Sequence, residues 1–159
     1  MDKTIFIKTI MTPQPLTVEF SRDVLSAQAI FRKHRFRHLP VVRHGELVGM
    51  LSKTDVDRLS FSYTMSDDDD SFHNAVESLK VSQLMFPHPR TVRENDAIFI
   101  AASILAKEES HALPVLSDDG ERLVGIVTTA DVIRYMLNAE EKANSAVPKA
   151  MERTLERQS

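Results

Sequence analysis

The sequence predicts an α+β fold made of two similar β-α-β-β-α units related by pseudo-twofold symmetry. The first observation is an internal repeat, in which residues 11–18, Met-x-Pro-x-Pro-x-Thr-Val, return as residues 85–92. The second is that Leu-Pro-Val at 39–41 returns at 113–115. In both copies a Leu-Val-Gly and then an Asp-Val pair follow. Such a repeat indicates a duplicated folding unit and predicts paired sites at or beside the seam between the copies.

Length and composition narrow the classes of protein to which this chain can belong. The chain has 159 residues, and a copy of roughly 60 residues is marginally stable alone, so we expect the copies to bury their apolar faces against each other. The formal net charge of −3 argues against a dedicated nucleic-acid binder, which usually has a basic stripe. The sequence has no cysteine, which excludes disulfides, thiolate zinc sites and a cysteine nucleophile.

No segment resembles a membrane or export signal. The apolar runs fall short of the roughly 20 residues that a membrane helix needs. Residues 1–8 lack the apolar core and the cleavage site of a secretory signal. We therefore expect a cytoplasmic protein with no membrane partner.

Each copy is predicted to begin with a short strand and an amphipathic helix. In the first copy the strand is placed at 16–18, after two prolines that disfavour helix. Ser21 is interpreted as the N-cap of the helix that follows. The predicted buried stripes, at i, i+3 and i+7, are Val24, Ala27 and Phe31 in the first copy and Ile98, Ala101 and Leu105 in the second.

A hairpin and a second helix complete each copy. Apolar and β-branched residues on either side of a glycine-bearing turn predict the hairpins. Their strands are placed at 39–42 and 47–51 in the first copy and at 113–116 and 123–127 in the second. The second helices are predicted to begin near Lys53 and Thr129.

The chain is divided into a first unit at 2–60, an acidic linker at 61–77, a second unit at 78–140 and a polar C-terminal tail at 141–159. The linker contains Ser-Asp-Asp-Asp-Asp-Ser at 66–71. A solvated turn and helix start is the favoured interpretation, since acidic groups favour helix N-termini. The alternative is a divalent-metal loop, but no glycine-bearing calcium-loop pattern surrounds the run. No metal ligand is predicted.

The motif that carries chemistry is Gly-Met-Leu-Ser-Lys-Thr-Asp at 49–55, which returns as Gly-Ile-Val-Thr-Thr-Ala-Asp at 125–131. A strand ends, a hydroxyl residue follows, and an aspartate lies three places later in the first helical turn. The helix start favours an anion, and the carboxylate offers two oxygens to the two hydroxyls of a ribose. The alternative is an ordinary capping box, in which the acidic residue bonds back to the cap. Two copies in register favour a nucleotide site but leave the capping interpretation open.

With these landmarks the chain resembles a tandem pair of CBS domains (the cystathionine β-synthase regulatory domain), also called a Bateman module. The matching segments are 10–13, 17–18, 38–42 and 49–55 in the first copy, and 84–87, 91–92, 112–116 and 125–131 in the second. The resemblance covers most of residues 2–140. It implies two β-α-β-β-α units packed sheet to sheet, with two clefts that bind adenosine-containing ligands such as AMP, ADP, ATP or S-adenosylmethionine.

The resemblance also assigns roles to residues of this chain. It implies ribose binding by Asp55 and Asp131, with Ser52 and Thr128 on the phosphate side. The segments that frame the base are implied at Thr17 and Val18, at Thr91 and Val92, and near Ile10 and Leu84. Residues that face the phosphate or the base are implied at Arg37, His38 and His111. Each cleft of the family draws on both copies. The copies differ before their Leu-Pro strands, with Arg-Phe-Arg-His at 35–38 and Glu-Ser-His-Ala at 109–112. Lys53, a further predicted ligand-binding residue, stands where the second copy has Thr129. We therefore expect the two clefts to bind phosphate with unequal strength.

These observations predict a regulatory module rather than an enzyme, with no required cofactor. It senses an adenosine-containing small molecule and passes the signal to an unidentified effector protein or through self-assembly, with a homodimer expected from the resemblance. The alternative is a structural interaction or dimerisation module whose Ser/Thr-x-x-Asp motifs are only caps. Nothing beyond scattered histidines and acids supports an enzyme, and the net charge does not favour nucleic acid.

Overall fold

The computed structural model describes residues 5–65, 70–108 and 110–145. The predicted α+β class is confirmed, with two four-stranded sheets and helices. The first copy comprises a 3₁₀ turn (Ile7–Thr9), β1 (Thr12–Pro13), β2 (Val18–Glu19), α1 (Val24–Lys33), β3 (His38–Arg43), β4 (Glu46–Ser52) and α2 (Lys53–Met65). The linker helix is α3 (Asp70–Ser78). The second copy comprises α4 (Val81–Leu84), β5 (Phe86–Pro87), β6 (Val92–Arg93), α5 (Ile98–Lys107), β7 (Ala112–Leu116), β8 (Leu123–Thr128) and α6 (Thr129–Ser145).

The hairpins and the starts of the second helices confirm the prediction, since α2 begins at Lys53 and α6 at Thr129. All six residues of the predicted stripes on α1 and α5 are buried. Val24, Ala27 and Phe31 belong to the core of the first copy, and Ala101 and Leu105 belong to a separate core of the second.

Two local predictions in the first copy are wrong. The strand expected at 16–18 begins only at Val18, and β1, which pairs outside its own copy, precedes it. The N-cap of α1 is Asp23 and not Ser21, because the Asp23 carboxylate accepts hydrogen bonds from the hydroxyl and the backbone N–H of Ser26, each at 2.7 Å. The Ser26 hydroxyl and then its N–H lower the pKa of Asp23. Serine and aspartate cap helices about equally well, so the position of a residue relative to the first buried helical residue decides which of them is the N-cap.

The copies exchange strands. The sheet orders are β2-β3-β4-β5 and β1-β8-β7-β6. β1 pairs antiparallel with β8, with Thr12 opposite Ile126, and β5 pairs antiparallel with β4, with Phe86 opposite Met50. Each sheet is therefore completed by the first strand of the other copy.

The glycine of each repeated Leu-Val-Gly permits this exchange. A Cβ on Gly125 would overlap the Met11 sulfur and would lie 3.2 Å from the Thr12 carbonyl oxygen. A Cβ on Gly49 would likewise overlap the Met85 sulfur and crowd the backbone of the residue that follows Met85. The glycine at the same place in both copies thus reflects the close approach of the exchanged strand.

The two sheets pack against each other, as the resemblance implied. Met50 from the first sheet forms a buried cluster with Ala112 and Ile126 from the second. Helix α3 packs against α1 and α2 on the outer side of the first copy. Within the described residues, no helix is long and apolar enough to span a membrane.

The predicted boundaries at 60, 77 and 140 stay a prediction. α2 continues to Met65 and α6 to Ser145. Most of the acidic run and the tail from residue 146 lie outside the described residues. After the run, the described residues resume at Asp70 in α3. The described residues hold no cluster of three or more acidic or histidine side chains suited to a metal ion.

Candidate functional site

The strand-to-helix junctions carry the repeated hydroxyl and aspartate. At the β8–α6 junction, Thr128 pairs with Ala112 across the hairpin. The Thr129 backbone N–H donates to the His111 carbonyl oxygen at 3.1 Å. This register places the residues just before β7 beside the start of α6, so His111 lies next to the junction.

Asp131 is a member of a closed capping box. The Thr128 N–H and hydroxyl donate to Asp131 Oδ2 at 2.9 and 2.6 Å, and the Asp131 N–H donates back to the Thr128 hydroxyl oxygen at 3.3 Å. Arg134 Nη1 donates to the other oxygen, Oδ1, at 3.0 Å. The Asp131 side chain is 13% exposed. The capping interpretation therefore holds at this junction, and a ligand can meet the carboxylate mainly through Oδ1.

The β4–α2 junction is more open. The Ser52 hydroxyl oxygen accepts from the Thr54 N–H at 3.1 Å. Asp55 is 46% exposed, and its Oδ1 lies 4.0 Å from Arg58 Nη1, beyond hydrogen-bonding distance. Lys53, predicted to face a ligand, forms an ion pair with Asp57. The two junctions thus share a sequence motif but differ in how far the aspartate is already engaged.

A cavity of about 640 Å³ lies between the copies on the side of Asp131. We call it the seam cavity. Its lining comes from residues 12, 14–16 and 35–38 of the first copy and from 111, 126, 128–131 and 134 of the second.

Strand exchange explains why both copies contribute. Because β1 pairs with β8, the segment that follows β1 is carried to the β8–α6 junction. Leu16, Phe36 and Ile126 provide apolar wall. Phe36 stacks on His34 at 5.2 Å between ring centroids and meets Phe31 edge-on at 6.0 Å, which positions it against the cavity.

The lining is rich in cationic and basic side chains. The lining includes one carboxylate, that of Asp131, and five basic side chains: Arg35, Arg37, Arg134, His38 and His111. Burial, followed by the neighbouring His111 and Arg37, lowers the pKa of His38, while Asp55 acts in the opposite direction. His38 therefore favours its neutral form, and an anion in the cavity would favour its protonated form.

The backbone at the start of α6 offers less to an anion than the motif suggested. The N–H groups of Thr129 and Asp131 already have acceptors within the protein. The arginines and histidines add cationic donors for a phosphate to the same cavity.

The seam cavity brings together five of the predicted site residues: Arg37, His38, His111, Thr128 and Asp131. Ser52, Lys53 and Asp55 lie at the other junction. Among the predicted base-framing residues, Val18 and Val92 are buried in the two cores, Thr17 is exposed and Thr91 is half-buried.

The sequence interpretation missed Leu16, Arg35, Phe36 and Arg134. Arg134 left a signal in the repeat, because an arginine follows the aspartate by three positions in both copies, as Arg58 and Arg134. Arg35 and Phe36 directly precede the predicted Arg37 in the sequence, whereas Leu16 could be placed at this junction only once the pairing of β1 with β8 was known.

The fold defines the chain as a tandem-repeat module with a cavity shared by its two exchanged halves. The CBS domain family model matches residues 7–61 and 81–138. The chain belongs to this family and contains a tandem CBS pair.

Relatives of this chain include proteins with bound adenosine compounds. The structure of CBSX2 in complex with AMP is 28% identical, covers 85% of this chain and 98% of that one, and has a TM-score of 0.69; CBSX2 is a protein of Arabidopsis thaliana. The CBS domain pair of protein MJ0100, in complex with 5′-methylthioadenosine and S-adenosyl-L-methionine, is 26% identical over 86% of this chain and 98% of that one, with a TM-score of 0.68.

An L-aspartate semialdehyde sulfurtransferase from Methanocaldococcus jannaschii is 28% identical over 129 residues, which is 80% of this chain. This chain spans 22% of the length of that relative. Similarity to a CBS pair is therefore found both in proteins of this size and in longer chains.

Proposed function

We propose that the chain is a regulatory module that binds an adenine nucleotide in the seam cavity. The observation that carries this proposal is the cavity itself, which joins the Thr128–Asp131 motif of one copy to Arg37 and His38 of the other. Its volume of about 640 Å³ lies in the range of small-molecule sites, roughly 300–1,000 Å³. The adenosine ligands of CBSX2 and of the MJ0100 pair support the choice of ligand class.

Each part of a nucleotide has a partner in this arrangement. The apolar wall of Leu16, Phe36 and Ile126 suits the adenine ring, and Asp131 Oδ1 suits a ribose hydroxyl. The phosphates would lie among Arg35 and Arg37 and the two histidines. Thr17, Thr91 and the backbone of Val18 and Val92 remain proposed neighbours of the base in the two clefts.

The charge of the lining favours AMP, ADP or ATP over S-adenosylmethionine. Three guanidinium groups surround the cavity, and its carboxylate is already paired with one of them. A phosphate gains from these cations, whereas the cationic sulfonium of S-adenosylmethionine does not.

The β4–α2 junction is proposed as a second, weaker phosphate site. Asp55 and Ser52 repeat the motif there, and Lys53 is the extra cation expected from the sequence. Because Lys53 is paired with Asp57, its charge is already partly neutralised. The two clefts are therefore proposed to differ in affinity.

A module of this kind transmits binding through a change in packing rather than through catalysis. A ligand that contacts both copies favours the arrangement that fits it, by no more than its difference in affinity between the arrangements. We propose a non-enzymatic cytoplasmic protein that acts on an effector protein or through its own assembly, with neither nucleic acid nor membrane as partner.

The outer face of the second copy is proposed to form a homodimer. Phe99 and Ile100 on α5 and Ile133, Met136 and Leu137 on α6 are 41–60% exposed, and the two helices pack side by side. α3 packs against the corresponding helices of the first copy. Exposed apolar patches of this kind mark interaction sites.

The dimer has a matched test in the repeat. Leu137→Glu should halve the molar mass measured by light scattering, while Phe61→Glu, at the equivalent position on α2, should leave it unchanged. The reverse pattern would place the interface on the first copy.

The second candidate function is a dimerisation module that binds no ligand. The closed capping box at Asp131 and the apolar α5–α6 face favour it. A thermal-shift panel of AMP, ADP, ATP, S-adenosylmethionine and NAD separates the two functions. Ligand at 100 times its dissociation constant adds about 2.7 kcal/mol if it binds only the folded form, which raises Tm by roughly 5–10 °C for a protein of this size. No shift with any of these compounds would reject the nucleotide function.

A further inference from the structure

Arg134 lies between two cavities. It lines the seam cavity and also a second cavity of about 410 Å³, which lies between the N-terminal segment and α6 and is lined by Ile5, Ile10, Asn138 and Lys142 among others. Asp131 is the other residue that lines both. The Arg134 side chain is 67% exposed, so its guanidinium has room to turn from one cavity towards the other.

The capacity of the Asp131 carboxylate to accept hydrogen bonds is limited. A carboxylate has about four lone-pair sites, two on each oxygen. The Thr128 N–H and hydroxyl occupy both sites of Oδ2, and Arg134 occupies one site of Oδ1. About one site is left, so the carboxylate can accept only one of the two hydroxyls of a ribose.

We infer that Arg134 is a specificity-determining residue, which controls whether Asp131 recognises one or two ribose hydroxyls. While Arg134 holds Oδ1, a ribose and a deoxyribose make the same number of bonds to the carboxylate. When the guanidinium turns away, the second hydroxyl gains a charge-assisted acceptor. This inference rests on the proposed nucleotide site.

The first copy provides the internal contrast. Arg58 occupies the equivalent position on α2 but stands 4.0 Å from Asp55, so it takes no lone-pair site on that carboxylate. Removal of Arg58 should therefore leave sugar recognition unchanged, whereas removal of Arg134 should sharpen it.

The experiment compares adenosine with 2′-deoxyadenosine by isothermal titration calorimetry. Both are uncharged, so the loss of an arginine–phosphate attraction does not enter. Arg134→Met is compared with its parent in the full chain with Asp55→Asn, which leaves Asp131 as the ribose-facing carboxylate. Arg58→Met is compared with its parent in the full chain with Asp131→Asn, which leaves Asp55 in that role. Methionine keeps an unbranched side chain of similar helix propensity but donates no hydrogen bond.

We expect Arg134→Met to raise the preference for adenosine over 2′-deoxyadenosine by about tenfold, as for one further hydrogen bond to a charged group. Arg58→Met should leave the preference unchanged. An unchanged preference in the Arg134 variant, with both nucleosides bound, would overturn the role of Arg134 alone, as would an equal rise in the Arg58 variant. If the unmodified chain binds none of the nucleosides or nucleotides, the proposed function itself fails, and this inference with it.

Discussion

The two aspartates of the repeated motif should respond differently when each is replaced by alanine. Asp131 accepts two hydrogen bonds from Thr128 and one from Arg134, and it is only 13% exposed. Asp55 is 46% exposed and has its arginine at 4.0 Å. The two residues occupy equivalent places in the sequence motif, whereas the structure shows a closed capping box at Asp131 and a more open junction at Asp55.

The magnitude follows from these contacts. Asp131→Ala removes the acceptor of the Thr128 N–H and breaks the capping box, which costs about 1–2 kcal/mol. The exposed Arg134 pair adds little to this. Asp55→Ala changes a half-buried residue whose side chain is 46% exposed and lacks these hydrogen bonds, so its cost should stay within about 0.5 kcal/mol. For a protein of this size the first variant should lower Tm by roughly 2–8 °C and the second by no more than about 2 °C.

Urea unfolding followed by circular dichroism, together with thermal melts without ligand, measures both variants. Thr128→Val serves as the control, since it removes the hydroxyl partner of Asp131 and should reproduce part of its loss. Equal destabilisation of the two alanine variants, or a neutral Asp131→Ala, would refute the argument that the carboxylates are differently engaged. The comparison also means that loss of stability at Asp131 is not by itself evidence against ligand binding there.

Three further outcomes are expected. Gly125→Ala should destabilise the chain by about 1–3 kcal/mol, because the new Cβ overlaps the Met11 sulfur. Met11→Ala should recover part of this loss in the double variant, measured by urea unfolding. No recovery would point to the Thr12 carbonyl oxygen, 3.2 Å from the new Cβ, as the obstacle instead. The pKa of His38 is lowered by burial, so the unfolded chain binds more protons than the folded one below about pH 6.5. The free energy of unfolding therefore falls as the pH drops through that value towards the lowered pKa. His38→Gln should flatten this part of a stability–pH curve, and an unaltered slope would contradict the assignment. Asp23→Ala should cost about 1 kcal/mol of stability and Ser21→Ala almost nothing. Because bonds to the helix start lower the pKa of Asp23, its contribution to stability should be lost as the pH falls below the ordinary value of 3.8. An equal cost at Ser21 in the same unfolding assay would restore Ser21 as the cap.

Local pattern was sufficient to predict most helices and hairpins of this chain. The apolar stripes of α1 and α5 and the Gly-led strands before Lys53 and Thr129 are signals within one element, and the structure agrees with them. Ser21 failed because its side chain is as good a cap as that of Asp23, and sequence alone does not show which side chain reaches the first turn.

The strand exchange could not be predicted in the same way. β1 and β5 have two residues each, too few for a period-2 pattern, and their partners lie in the other copy. For the same reason the motif placed Asp131 at a junction but not Leu16 beside it. The degree to which each aspartate is already hydrogen-bonded also depends on side-chain geometry that the repeat does not encode.

The reciprocal exchange of β1 and β5 resembles the contact that two identical protomers make across a true twofold axis, where every residue necessarily occurs twice and both crevices are copies of one another. A covalent connection between the halves removes that constraint. Arg58 and Arg134 show the result, since the same residue at the same helical position lies 4.0 Å from its aspartate in one half and is hydrogen-bonded to it in the other. A single polypeptide can in this way give its two crevices different tasks, which a symmetric assembly of separate halves has no means of doing.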